Sequence, residues 1–262
     1  QHGLTGWFTW LRELGCIMTV LPGHPRYGGA GYRQAGIDPA KLYGLVPIFQ
    51  RMQTPSLVVA PSYIAGSDFN LALSGGARIL PFETLGDMFR TTATALRQDA
   101  GRKYLYLYWP LLDTLGHRHG IEAPATVRHL QEIERAVIDF LVQAAGTDTL
   151  LLITADHGQV DTTPAGRIDL AGHPTLRRAM ALPPCGEPRA AFCYVRPGHI
   201  DIFTAYCRAH LAEHLDVVRS EDLIAQGLFG LGEPNPRLAE RIGDLTLLMR
   251  GNSVIHERLP SE

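Results

Sequence analysis

Two short stretches of this 262-residue chain place a carboxylate close to an imidazole, each shortly after an apolar run. Asp113 is followed four residues later by His117, and Asp156 is followed at once by His157. A four-residue spacing puts Asp113 and His117 on one side of a helical turn. Zn²⁺ accepts carboxylate oxygen and imidazole nitrogen as ligands, and Mn²⁺ or Fe also takes them. The two pairs therefore indicate a metal site, although each pair alone could be a helix cap beside a surface histidine.

The apolar runs before the two pairs predict strands of one sheet. Residues 104–109, stopped by Pro110, precede Asp113, and residues 150–154 precede Asp156. The run at 150–154 is typical of a strand buried on both faces, and the run at 104–109 predicts a neighbouring strand. Open α/β sheets bind ligands beyond the carboxyl ends of their strands, so we expect the pairs to meet at one edge. Two metals about 3.5–4 Å apart would there clamp the attacking and leaving oxygens of a phosphoryl transfer.

Strand and helix patterns alternate along the chain, which predicts an α/β fold with a sheet layered between helices. We expect Pro47 to kink or shorten the first helix, and residues 67–76 to form a loop. A second α/β portion at about 180–245 would form a smaller cap or insert. Strands are predicted over 16–20, 56–60, 104–109, 150–154, 192–195, 216–219 and 245–249, and helices over 38–52, 84–99, 122–145 and 201–213.

Composition excludes several classes of protein. Apolar residues make up 45% and charged residues 19% of the chain, as in ordinary globular proteins. A formal net charge of −2 gives no electrostatic footprint for nucleic acid or an anionic membrane. No apolar run approaches the roughly 20 residues that span a bilayer. The four cysteines show no CxxC pairing, so we expect reduced thiols, which favours a cytoplasmic location.

Several segments resemble one enzyme superfamily. Residues 113–117, Asp-Thr-Leu-Gly-His, resemble the D-x-x-G-H element of the alkaline phosphatase superfamily, in its nucleotide pyrophosphatase/phosphodiesterase branch. Residues 154–158, Thr-Ala-Asp-His-Gly, resemble the [ST]-[DA]-D-H-G element of that branch. Residues 2–6 are similar to the end of its G-x-x-P-x-x-H-G-x-x-G segment, and residues 183–190 to a segment of bacterial members that more often has Ser in place of Cys185. The resemblance implies an incomplete alkaline-phosphatase-like three-layer catalytic domain over residues 1–262, with a largely parallel central sheet.

The resemblance also implies roles for single residues. Asp113 and His117 would bind one zinc together with a later histidine, and Asp156 and His157 would bind a second. The second zinc would also use an early aspartate and a Thr or Ser nucleophile, both expected upstream of Gln1. No catalytic nucleophile is therefore assigned within this sequence, which we expect to be a piece of a longer protein.

Other histidines are weaker candidates as metal ligands. His256 is nearest to the expected place of the later histidine but lacks the H-G-G glycines of the family. His119 is an alternative to His117, which the Gly116 spacing favours. His173 lies in an irregular segment that is rich in Pro and Gly, which favours a structural loop over a third metal ligand. His210 and His214 are four residues apart on one predicted helix, where a solvated face is the alternative to a metal pair.

The expected function is metal-dependent hydrolysis of phosphodiester or pyrophosphate bonds in a small-molecule phosphodiester or nucleotide. Two divalent ions, Zn first and Mn or Fe as alternatives, would serve as cofactors. The alternatives are another hydrolase or phosphomutase of the same superfamily, or a non-catalytic binding paralogue. We expect this chain alone to bind metal weakly and to show negligible turnover.

Overall fold

The computed structural model describes residues 3–98 and 101–257. The chain divides into two compact units: a larger unit of residues 1–45 and 162–262, and a smaller unit of residues 46–161. The predicted insert at 180–245 lies within the larger unit. His2 of the predicted 2–6 motif and Asp99, the expected end of a helix, lie outside the described residues.

The elements follow one another in chain order. The first part of the larger unit contains β1 (Phe8–Leu11), β2 (Cys16–Thr19), β3 (His24–Pro25) and α1 (Pro39–Tyr43). The smaller unit contains α2 (Ile48–Arg51), β4 (Ser56–Pro61), α3 (Ser62–Ala65), α4 (Asp68–Leu73), β5 (Arg78–Phe82), α5 (Leu85–Arg97), β6 (Tyr104–Leu107), α6 (Leu111–His119) and α7 (Pro124–Ala144). The larger unit resumes with β7 (Arg167–Asp169), α8 (Pro174–Ala179), β8 (Cys185–Glu187), β9 (Ala190–Cys193), α9 (Ile200–His210), β10 (Leu215–Arg219), α10 (Ser220–Ala225), α11 (Leu238–Arg241), β11 (Leu245–Met249) and β12 (Val254–His256).

The smaller unit is built on a three-stranded parallel sheet in the order β5-β4-β6. Val59 of β4 is paired in register with Leu80 of β5 and with Leu107 of β6. Parallel strands need crossover connections, and α5 lies between β5 and β6 in the chain. The core consists of apolar side chains from the sheet and from α5 and α7: Val59, Phe82, Met88, Phe89, Ala93 and Phe140. The predicted α/β class is confirmed.

The two long helices of the smaller unit begin within two residues of their predicted starts. Thr84 caps α5 in a reciprocal capping box, because its hydroxyl accepts from the Asp87 amide while the Asp87 carboxylate accepts from the Thr84 amide. Pro124 occupies the first turn of α7, where its missing amide hydrogen costs no helical bond. In the described ranges, no helix combines the length and the apolar character that crossing a membrane requires.

The predicted strand at residues 150–154 is wrong. These residues are irregular, and within the described chain none of their backbone groups hydrogen-bonds to another backbone group. Only Leu151 packs against the core, whereas Leu150 and Leu152 are 81% and 80% exposed. An apolar run forms a strand only where a neighbouring strand pairs with it, and the described residues provide no such partner here.

Of two further predictions, the loop at residues 67–76 is wrong and the interruption of the first helix at Pro47 is confirmed. The loop expected over residues 67–76 contains the helix α4, which Ser67 caps by accepting from the Asn70 amide at 3.2 Å. The small polar residues predict a loop there, but Ser is also a strong helix cap. The helix expected over 38–52 is divided into α1 and α2 around Pro47, as the proline predicts.

The larger unit contains a seven-stranded antiparallel sheet that the sequence did not predict as such. Its order is β10-β11-β9-β8-β1-β2-β3, and a separate parallel pair joins β12 to β7. The sheet packs against helices including α8 and α9 in a core that contains Leu176, Phe203 and Leu247. Arg241 is 1% exposed and donates to the Glu13 carboxylate at 2.9 Å, which supplies the opposite charge that a buried guanidinium requires.

The cysteines are free thiols, as predicted, and three are buried. Burial raises the pKa of both Cys185 and Cys207 from 9.0 to about 12, and it holds that of Cys193 well above 9.0. Only Cys16 is partly exposed, and burial raises its pKa too.

Because the thiolate is the reactive form, we expect the buried thiols to react slowly with Ellman's reagent at pH 8 in the native protein, and all four to react after unfolding. Because burial disfavours the thiolate, thiol ionisation costs the folded state no stability below pH 9, and the fold loses stability as the pH rises from 9 toward 12. Four rapidly reacting thiols in the native protein would contradict this prediction.

Candidate functional site

The first Asp-His pair lies on α6, directly after β6. Trp109 stacks on Phe82 with ring centroids 5.7 Å apart, and its indole N–H donates to Nε2 of the buried His129 at 2.9 Å. Because Nε2 of His129 accepts that bond, Nδ1 carries the proton and donates to Glu132 at 2.8 Å. These contacts hold the chain after β6 against α7, just before α6 begins.

Asp113 and His117 lie on the same face of α6. Asp113 is in the first turn and His117 in the last turn, and His117 Nε2 is 3.3 Å from Asp113 Oδ1. Gly120 ends the helix with a φ of 96°, which favours glycine because other residues rarely adopt it. The expected one-sided arrangement of the pair is therefore present.

The second pair approaches the first within the smaller unit. His157 Nε2 is 3.9 Å from Asp113 Oδ1 and 3.7 Å from Asp156 Oδ2. His157 Nδ1 is 3.0 Å from the carbonyl oxygen of Gly158, to which a protonated Nδ1 donates. In the neutral form with the proton on Nδ1, the Nε2 lone pair is available to a metal ion. The four side chains predicted as ligands thus form one cluster around Asp113.

The donor set of this cluster fits a divalent metal ion in chemical type. Two carboxylates and two imidazoles are ligands for Zn²⁺ and Mn²⁺. Their geometry is not that of a closed site: over residues 3–98 and 101–257, no three His, Cys, Asp or Glu side chains are arranged to hold a metal ion. The imidazole nitrogens face the Asp113 carboxylate itself, and the four side chains are 44–75% exposed, which leaves them room to rotate.

The carboxylates of the cluster also raise the pKa of two tyrosines, Tyr106 in β6 and Tyr108 just after it. Burial raises the pKa of Tyr106 and Tyr108, and the negative charge of Asp156 raises both further. Asp113 adds to the effect on Tyr108. Negative charge at the carboxyl end of β6 is the electrostatic environment that attracts a cation.

Gln159 is a site residue that the sequence analysis missed. Its Nε2 donates to Asp113 Oδ1 at 2.5 Å and to the Asp113 carbonyl oxygen at 3.2 Å. Its position directly after the Asp-His-Gly segment is the one sequence signal for it, because glutamine is not a typical metal ligand.

The remaining histidines that the sequence offers as metal ligands lie in the larger unit or at the end of α6. In the larger unit, His173 Nδ1 is 3.0 Å from the Tyr206 hydroxyl, and Tyr206 also packs against the His210 ring. His214 Nδ1 is 3.0 Å from the Ser253 hydroxyl. His256 is exposed at the end of β12. His119 is exposed at the end of α6, after His117.

The acidic and imidazole groups lie beyond the end of a strand of a parallel sheet, which is where open α/β sheets bind their ligands. Residues 33–260 match the family model "Type I phosphodiesterase / nucleotide pyrophosphatase". The chain belongs to this family. No curated protein sequence matches it significantly.

Solved structures show the same fold. Murine ectonucleotide pyrophosphatase/phosphodiesterase 5 matches with a TM-score of 0.69 at 15% identity, covering 100% of this chain and 66% of that protein. An inactive form of the murine protein in complex with AMP matches with a TM-score of 0.68 at 15% identity, again covering 100% of this chain and 66% of that protein. Phosphonoacetate hydrolase from Sinorhizobium meliloti, in complex with phosphonoacetate, matches with a TM-score of 0.62 at 14% identity. The match covers 100% of this chain and 68% of that protein. The chain therefore has an alkaline-phosphatase-like fold and spans about two thirds of the length of these structures.

Proposed function

We propose that this chain carries the metal-binding part of a hydrolase that cleaves phosphodiester or pyrophosphate bonds. The observation that carries the proposal is the cluster around Asp113, in which two imidazoles lie 3.3 Å and 3.9 Å from one carboxylate oxygen. Membership of the type I phosphodiesterase / nucleotide pyrophosphatase family supports the same reaction class.

In this proposal, Asp113 and His117 hold one divalent ion, and Asp156 and His157 hold a second. Such ions, when bound, supply Lewis acidity toward a phosphoryl oxygen and activate the attacking oxygen. Zinc suits the mixed nitrogen and oxygen donors, and Mn²⁺ or Fe would also suit them. The Asp113 and Asp156 carboxylates supply the negative charge that retains the ions, while His157 presents its unprotonated Nε2 to them.

The proposed substrate is a small phosphodiester or a nucleotide. A structural relative is known in complex with AMP, which is consistent with a nucleotide but is a property of that protein. The attacking hydroxyl, a Thr or Ser in the expected mechanism, is not assigned to a residue of this chain. The proposed turnover requires such a hydroxyl.

A zinc titration of the metal-free chain, read by equilibrium dialysis and metal analysis, tests the proposal. We expect weak zinc binding, and Asp156→Ala to lose a large part of it because that change removes one proposed ligand. The same variant should also lose any hydrolysis of bis(p-nitrophenyl) phosphate that the unsubstituted protein shows. Unchanged zinc content and unchanged hydrolysis in the variant would contradict the assignment.

A further inference from the structure

Gln159 differs from the residues beside it in burial and in contacts. Asp156, His157, Gly158 and Val160 are exposed, whereas Gln159 is half-buried. Its amide turns back onto α6, which carries the first Asp-His pair. A polar side chain that is less exposed than its neighbours and makes specific hydrogen bonds has a defined partner there, and that partner is Asp113.

The amide nitrogen of Gln159 makes both of its hydrogen bonds to one residue. Nε2 is 2.5 Å from Asp113 Oδ1 and 3.2 Å from the Asp113 carbonyl oxygen. Both acceptors are oxygens, so only the orientation with Nε2 facing Asp113 is favourable; the reverse would place the Gln159 carbonyl against a carboxylate. The two bonds therefore fix the Asp113 side chain relative to its own backbone.

Gly116 makes room for this amide on the surface of α6. A Cβ atom at position 116 would lie 1.9 Å from Gln159 Oε1 and 2.9 Å from its Cδ. No side chain other than hydrogen leaves that space open. The glycine between Asp113 and His117 is thus explained by the glutamine that packs over it.

Asp161 provides a second anchor for the same segment. Its Oδ1 accepts from the Ile121 amide at 2.9 Å, just beyond the end of α6. Residues 156–161, which carry Asp156 and His157, are therefore attached to α6 and to the turn that follows it. Of these two, only the Gln159 contact reaches a residue of the proposed metal site.

We infer that Gln159 is a positioning residue, which orients the Asp113 carboxylate for metal binding and connects the two Asp-His pairs. This inference rests on the proposed function, because it assumes that Asp113 binds a metal ion. Groups that hydrogen-bond to a metal ligand set its orientation, and their loss typically lowers metal affinity by about 10- to 100-fold. Gln159 would act in this way through its side-chain amide.

Gln159→Met tests the inference, because Met has a similar length and shape but cannot donate a hydrogen bond. We expect about a 10-fold or larger loss of Zn²⁺ affinity, measured with a chromophoric chelator as competitor, and an unchanged thermal unfolding midpoint. The visible absorption of bound Co²⁺, which reports ligand geometry, should also change. Gln131→Met, at an exposed position on α7, is the matched control and should change none of these quantities.

Gly116→Ala removes the same contact from the other side. The added methyl group would displace the flexible Gln159 amide without altering Asp113. We expect a similar loss of Zn²⁺ affinity, and no further loss when it is combined with Gln159→Met, because both changes break one interaction. Additive losses would contradict the inference.

The possible failures are distinguishable. If the unsubstituted chain binds Zn²⁺ and Gln159→Met binds it equally well, the positioning role is wrong while the proposed function stands. If the unsubstituted chain binds no Zn²⁺ even at millimolar concentration, both the proposed function and the inference that rests on it are wrong. A lowered unfolding midpoint in Gln159→Met with normal Zn²⁺ affinity would assign Gln159 a purely structural role, which also overturns the inference.

Discussion

Replacing Asp113 with asparagine is expected to lower the Zn²⁺ affinity of the chain by more than about 100-fold, beyond the loss typical of residues that only orient a ligand. Asp113 is the centre of the cluster, since both His117 and His157 approach its Oδ1 atom. Asparagine keeps the shape of the side chain but removes its charge. Competition against a chelator of known affinity would measure the change.

Asp139→Asn is the matched control for that experiment. Asp139 is exposed on α7 and has no part in the proposed site. Its replacement should leave Zn²⁺ affinity unchanged. The free energy of unfolding of both variants should lie within about 0.5 kcal/mol of that of the unsubstituted chain. An equal loss of affinity in the two variants would show that overall negative charge, not a ligand, retains the metal.

Phe140→Ala is expected to destabilise the smaller unit by about 3–5 kcal/mol. Phe140 is 1% exposed, and its ring centroid is 5.2 Å from that of Phe89 in the core that carries β6. Removing the ring loses its burial and leaves a cavity between α5 and α7. Urea denaturation followed by circular dichroism would measure the free energy of unfolding.

Ile138→Ala provides the comparison on the same helix. Ile138 is 56% exposed, so its truncation should change the free energy of unfolding by no more than about 0.5 kcal/mol. Similar effects of the two substitutions would contradict the description of this core.

The sequence predicted the parts of the fold that depend on local pattern. The strands that became β4 and β6 and the helices α5 and α7 each carry an apolar pattern and an end signal, such as the cap at Thr84 or Pro124. These signals act over a few residues and are independent of the rest of the chain. The expected alternation of parallel strands and helices in the smaller unit follows from them.

The segment at 150–154 shows why other predictions failed. Its apolar composition is that of a buried strand, yet Leu150 and Leu152 are exposed and no backbone partner lies among the described residues. Whether a strand forms is decided by a neighbouring strand, which periodicity does not report. The order and direction of strands in the antiparallel sheet are non-local for the same reason.

The candidate site was predicted in part. The spacing of Asp113 and His117, and the adjacency of Asp156 and His157, were sufficient to select four side chains that the fold brings together. Gln159 was missed because its role arises from the return of the chain onto α6, 46 residues away in sequence from Asp113. The metal-binding role of the four residues remains a prediction.

Anomalous diffraction at the zinc absorption edge, from crystals of the chain soaked in zinc, tests the central claim most directly. We predict a peak about 2.0–2.2 Å from a carboxylate oxygen of Asp113 and from a ring nitrogen of His117. A second peak is predicted beside Asp156 and His157. The absence of any peak at these four residues, or zinc bound only at histidines of the larger unit, would contradict it.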